Sequence, residues 1–184
     1  MTLIATGIAL GLIVSVPPGP NSALCVNLAC GGMRRAIPLI TGAALTDAAY
    51  SLLAASGVLV ASRVGVGVLV YLTPCFMLAT ALLAWSPSSL STKAGIGVAL
   101  FNPATAAIWL SLSSVPALRV LSTTDFLLRP ILVALGTAAW FTLLAAAAAR
   151  AGARLSPART AWLQKLLASL LAVAGLVGLA SAVA

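Results

Sequence analysis

The chain has 184 residues, 62% of them apolar and 7% charged, with a mean hydropathy of +1.17. A water-soluble domain carries roughly 25% charged residues, so the composition excludes an ordinary soluble fold and implies one whose outer face meets lipid and needs no charge. Ten Lys and Arg against two Asp and Glu give a net charge of +8, but the basic residues sit in gaps between apolar runs, not in a patch interleaved with aromatics, which argues for membrane orientation and against nucleic acid.

Apolar runs predict six transmembrane helices, at residues 3–30, 36–61, 64–84, 94–115, 126–149 and 161–183. Each can supply the roughly 20 helical residues that cross a ~30 Å hydrocarbon layer. No polar stretch is long enough for a second domain, so 1–184 reads as one all-α membrane domain. The first run lacks the basic start and small-residue cleavage site of a signal peptide.

That first span is interrupted by Pro17-Pro18-Gly19-Pro20-Asn21. Proline has no N–H and clashes with the carbonyl four residues back, so a helix through here loses bonds at Ile13, Val14 and Val16. The freed groups need protein or a wet cavity. A half-helix is expected to restart with Asn21 or Ser22 as its N-cap, offering N–H groups and a positive dipole end to an anion such as a carboxylate. Gly19 would let a ligand approach the backbone. Gly7 and Gly11, four apart, permit close helix contact.

In the second span Asp47 is the sharpest signal, the one acidic residue within any predicted span, since Asp125 falls in the connection at 116–125. A carboxylate at a bilayer centre costs about 2.5–3.5 kcal/mol on insertion scales and is functional by default. Its helical neighbours Ala43, Ala44, Tyr50, Ser51 and Ala54 form a small, polar face, whereas Leu45 and Leu52 point away, so Asp47 should look into the bundle. The bland alternative is a carboxyl that glues two helices. The third span carries Pro74-Cys75. In the fourth, Asn102, Thr105 and Trp109 share a face, and Pro103 should free the carbonyl of Ala99. Trp85, Trp162 and Tyr71 fit interfacial anchors.

Arg34, Arg35, Lys93, Arg150, Arg154, Arg159 and Lys165 fall on one side of a six-span chain; Arg63, Arg119 and Arg129 fall on the other. The positive-inside rule then places both termini outside the cytoplasm. The broken first and fourth spans, with a loose match of residues from Pro38 to those from Pro130, predict a three-helix unit repeated once in inverted orientation, and paired breaks point to a transporter's binding site. Cys25, Cys30 and Cys75 read as packing residues; Cys25 and Cys30, five apart, should take different faces. With no histidine, a metal site is not expected. There is no carboxylate partner for Asp47 in the spans and no phosphate-binding loop, so no enzymatic activity is expected.

The stretch Gly11-Leu-Ile-Val-Ser-Val-Pro-Pro-Gly-Pro-Asn21, then Gly32-Met-Arg34-Arg-Ala and Gly42 five residues before Asp47, resembles the LysE/RhtB family of bacterial amino-acid exporters; Gly95, Asn102-Pro103 and Trp109 resemble its fourth-span motif. The chain departs from the family at Ala104, where a basic residue is frequent, and at Thr73-Pro74, where a glycine is usual. The resemblance implies export of an amino acid or similar metabolite across the cytoplasmic membrane, coupled to protons. The candidate substrate site is Pro18, Gly19, Pro20, Asn21, Ser22, Asn102, Pro103 and Trp109, with Asp47 and Tyr50 for proton coupling or ammonium binding. The expected partners are a small molecule, protons and the lipid bilayer, with a homodimer as one allowed assembly and no cofactor. The rival readings are a metal-ion exporter on the same scaffold and a membrane thiol-redox carrier, the latter raised by Pro74-Cys75.

Overall fold

The computed structural model describes residues 2–17, 19–56, 65–85, 92–113, 115 and 122–183. Among them every regular element is a helix: α1 (Thr2–Ser15), α2 (Pro20–Cys30), α3 (Met33–Ala55), α4 (Gly65–Trp85), α5 (Thr92–Leu100), α6 (Pro103–Ser113), α7 (Thr123–Arg154) and α8 (Pro157–Val183). Local chemistry sets many of these starts. Pro20, Pro103 and Pro157 each open a helix, the position where a missing N–H costs nothing. Ser122 accepts from Asp125 N at 3.1 Å and Ser156 from Arg159 N at 3.4 Å, capping α7 and α8. Gly32, before α3, holds φ +123, which side chains rarely adopt.

Among the described residues five stretches are long and apolar enough to cross a membrane, and six if α1 and α2, bent by 82° at the proline run, count as one. The contacts favour counting them together. Gly7 lies against Leu132 and Gly11 against Val133 and Gly136, while Cys25 reaches Phe141 O and Gly152 sits on Cys30. The pair thus advances along α7 from residue 132 to 152, about 30 Å of helix and one hydrocarbon thickness. Any Cβ on Gly11 would strike the Val133 carbonyl, and any on Gly136 the Ile8 carbonyl. The expected Gly7-Gly11 pair is therefore a backbone-to-backbone contact, completed by a glycine on the partner helix.

Helix α3 packs on α7, α5 and α2. Leu24, Leu28, Leu39, Val98, Phe141 and Ala145 fill one half of this core; Leu10, Val14, Trp109 and Val133 fill the other. Helix α8 lies chiefly on α4, with Gly175 against Pro74 and Leu78. Asn27 ties that pair to the core: its Nδ2 donates to Ala84 O (2.9 Å), and its carbonyl accepts from Gln164 Nε2 (3.1 Å).

Several expected boundaries move. Helix α7, at 32 residues, is about 48 Å long and overshoots the predicted 126–149 at both ends. Asp125 and Arg129, read as part of or beside a connection, lie in its first turns instead, both buried and joined as a two-pronged ion pair with Arg129 Nε 2.9 Å from Asp125 Oδ1. A buried pair four apart on a helix neutralises its own charge, so it survives where a lone ion would not. Arg34 and Arg35 open α3, and Arg150 and Arg154 close α7, all four exposed. Cys25 and Cys30 do not take different partners: their thiols point to Phe141 O (3.6 Å) and Ala148 O (3.7 Å), both on α7, because α7 runs beside the whole of α2. Cys75 is exposed on α4.

Candidate functional site

Where the first span breaks, the N-cap of α2 falls two residues before the earlier of the two expected caps, Asn21. Gly19 is the N-cap, extended at φ −156 and ψ −172, and Pro20 is the first helical residue, so Asn21 and Ser22 sit inside the first turn rather than capping it. A glycine cap has no side chain to offer, and none caps this end. The N–H groups of the first turn are left for another acceptor. Gly19 itself is there for neither strain nor packing: its backbone suits any residue, and a Cβ would meet only Pro17 O at 3.9 Å. Pro18 lies outside the described residues.

This end opens on a cavity of about 80 Å³, room for several waters. Pro17, Gly19, Asn21 and Ser22 line it from the break, Asn102 and Thr105 from the second break, and Ser15 and Asp47 complete its polar wall. Val14, Met77, Ile108 and Phe141 supply apolar surface. Asn21 is 8% exposed and its Oδ1 has no hydrogen-bond partner. Among the described residues three other buried side-chain atoms lack partners, on Asn27, Ser51 and Trp140, but none of those residues lines the cavity. An unpaired buried acceptor costs about 1–3 kcal/mol, and Asn21 is the one of these residues that lines the cavity.

Asp47 faces inward as its helical neighbours require, 5% exposed, with Leu45 turned out at 59%. Trp109 Nε1 donates to Oδ1 (2.9 Å) and Thr137 Oγ1 lies 2.7 Å from Oδ2. Ser15 Oγ in turn lies 3.2 Å from Thr137 Oγ1. Residues of α1, α3, α6 and α7 therefore meet at one carboxyl near the middle of α7, which is where transporters place substrate and ion sites.

Asn102 caps α6 by accepting from Ala104 N at 3.1 Å. The carbonyl of Ala99, freed by Pro103 as expected, finds Thr46 Oγ1 at 3.3 Å, a hydroxyl that also bonds Gly42 O at 2.7 Å. Of the expected site residues, the structure gathers Gly19, Pro20, Asn21, Ser22, Asn102 and Asp47 around the cavity. Pro103 is buried behind it, and Trp109 touches Asp47 rather than the cavity. Tyr50 packs on the Leu10–Val14–Trp109–Val133 cluster and does not line the cavity. Sequence reasoning missed Ser15 and Thr137. The signal was present in Gly136-Thr137, a small and a polar residue together in the middle of a long apolar span, facing a Gly-rich partner.

Among the described residues no group of three or more His, Cys, Asp or Glu is placed to hold a metal ion. Comparison of the chain with protein-family models, with curated proteins and with solved structures gives no match.

Proposed function

We propose that the chain is a secondary transporter of the LysE/RhtB type, exporting an amino acid or related small metabolite from the bacterial cytoplasm in exchange for protons. One observation carries this reading: a cavity bounded by an uncapped helix N-terminus on one wall and by the inward-facing carboxyl of Asp47 on another. An uncapped N-terminus accepts a carboxylate. A carboxyl offers an acceptor to an ammonium group, and each oxygen of Asp47 keeps a lone pair beyond the bond it already receives. The two walls together suit a zwitterion.

Six spans in two inverted three-helix units are supported by reciprocal contacts. Thr137 and Gly136 of span five meet the first half of span one, at Gly11 and Ile8; Thr46 and Gly42 of span two meet the first half of span four, at Ala99 and Ile96. Gathering of Arg34, Arg35, Arg150, Arg154, Arg159 and Lys165 near the helix ends where Gly152 meets Cys30 supports termini outside the cytoplasm. One proton entering down ~100 mV supplies about 2.3 kcal/mol, enough for a gradient of roughly 40-fold of a neutral substrate.

The test is uptake of radiolabelled amino acids by inverted vesicles under an imposed pH gradient. We expect accumulation by the native protein, and by Asp47→Asn only exchange down a concentration gradient. Absence of transport for every common amino acid overturns the substrate class. Full pH-driven accumulation by Asp47→Asn overturns the coupling role and leaves the carboxyl as a link between helices.

A further inference from the structure

We infer that Thr137 is the proton-coupling partner of Asp47: its hydroxyl reverses direction when Asp47 takes up a proton, moving a hydrogen bond from α3 to α1. This rests on the reading of Asp47 as the titrating group, and the chemistry of the two donors around it makes the assignment. An indole N–H can only donate. The oxygen that Trp109 holds at 2.9 Å, Oδ1, is therefore used as an acceptor in both states, and the carbonyl oxygen of a protonated carboxyl accepts better than its hydroxyl oxygen. A hydroxyl both donates and accepts, so the proton belongs on Oδ2, 2.7 Å from Thr137 Oγ1.

The surroundings of Thr137 accommodate both directions. With Asp47 ionised, the threonine hydroxyl donates to Oδ2. With Asp47 protonated, Oδ2–H donates to Oγ1, and the threonine proton has a second acceptor waiting in Gly11 O at 3.3 Å. Ser15 Oγ, 3.2 Å away, can donate to Thr137 in either state. Thr137 is fully buried, at 0% exposure, so water does not stand in for these partners. Gly11 and Ser15 both belong to α1, whose end leads into the break and the cavity. Protonation of Asp47 thereby adds a bond between α7 and the half-helix that shapes the substrate site.

Among the described residues no other ionisable side chain lines the cavity. On the packed elements, Tyr50 of α3 sits in the cluster beside Trp109, Cys25 of α2 points to Phe141 O, and Asp125 and Arg129 of α7 pair with each other.

The experiment is pH-difference infrared spectroscopy of the purified protein without substrate, with Asp47→Asn identifying the carboxyl band, alongside vesicle transport. Thr137→Val keeps the shape and removes the hydroxyl; Thr137→Ser keeps the hydroxyl. We expect the protonated-carboxyl C=O band of Asp47 to move in Thr137→Val and to stay in Thr137→Ser. We also expect pH-driven accumulation to fall about tenfold in the valine variant and recover in the serine variant, the scale of one lost bond to a charged group. An unmoved band in Thr137→Val, or the absence of any band lost in Asp47→Asn, overturns the assignment. The spectra need no substrate, so they stand apart from whether an amino acid is the cargo.

Discussion

At the first break proline precedes asparagine, Gly19-Pro20-Asn21; at the second asparagine precedes proline, Asn102-Pro103. In both, the proline takes the first helical position, because its fixed φ suits a helix start and its missing N–H costs nothing there. The residue before it is then the cap. Asn102 has a side chain for that role and spends it on Ala104 N, while Thr46 takes the carbonyl that Pro103 frees. Gly19 has none, and Asn21, the second residue of the helix, lines the cavity with its buried Oδ1 unpaired. The geometry follows the chemistry. The satisfied break leaves residues Gly95–Ser113 as one stretch fit to cross a membrane, whereas the unsatisfied one bends by 82°. Two breaks of nearly the same composition thus differ in what they leave over, and only the first leaves groups that call for a ligand.

The largest expected effect separates the two breaks by their packing. Gly11→Ala drives a methyl into the Val133 carbonyl, and neither backbone can yield, since each is held in its own helix. Gly42→Ala meets the Ala99 Cβ at 3.0 Å and Ile96 backbone atoms at 3.2 Å, tight contacts that need the neighbouring helix to give by a few tenths of an ångström, far less than at Gly11. We expect Gly11→Ala to lose about 1–3 kcal/mol or fail to insert, and Gly42→Ala to express normally with a small drop in melting temperature in detergent. Equal damage would mean that the first break is no more tightly seated than the second.

The asparagines provide the next contrast. Asn21→Ala removes an unpaired acceptor, so stability should hold or rise, while on the proposed reading export falls about tenfold because a polar residue of the cavity wall is gone. Asn102→Ala removes a cap and should cost about 1 kcal/mol of stability, with export per folded molecule changing by about threefold or less. Thermal unfolding and vesicle transport on the same preparations check both. The reverse pattern would make Asn102 the ligand-facing residue and Asn21 the structural one.

The smallest effect sharpens the account of Gly19. Alanine fits its backbone angles and touches only Pro17 O at 3.9 Å, so the fold should not change. The added methyl enters the cavity wall, and we expect the KM for export to rise about three- to tenfold at constant expression, the scale of one methyl in a binding pocket. An unchanged KM would show that substrate does not approach the backbone there.

The sequence alone determined that this is a helical chain for lipid, because hydropathy and span length answer to a solvent with no hydrogen bonds to offer, whatever the tertiary arrangement. It also determined that Asp47 faces inward and that Ala99 loses its helical partner, since both follow from helix period and proline chemistry acting within a few residues. Capping was half legible: a helix restart after the proline run was plain, but the cap expected at Asn21 or Ser22 fell to Gly19 because Pro20 claims the first turn. Only the tertiary structure decided what each exposed group meets. Thr137 becomes the partner of Asp47 because glycines at 11 and 136 let α1 and α7 touch, and that contact joins positions far apart in the chain. Asp125 left the connection for a buried helix turn, where it and Arg129 satisfy each other, and Tyr50 left the site for a cluster around Trp109. Such outcomes rest on pairwise geometry between distant segments, which no local pattern encodes.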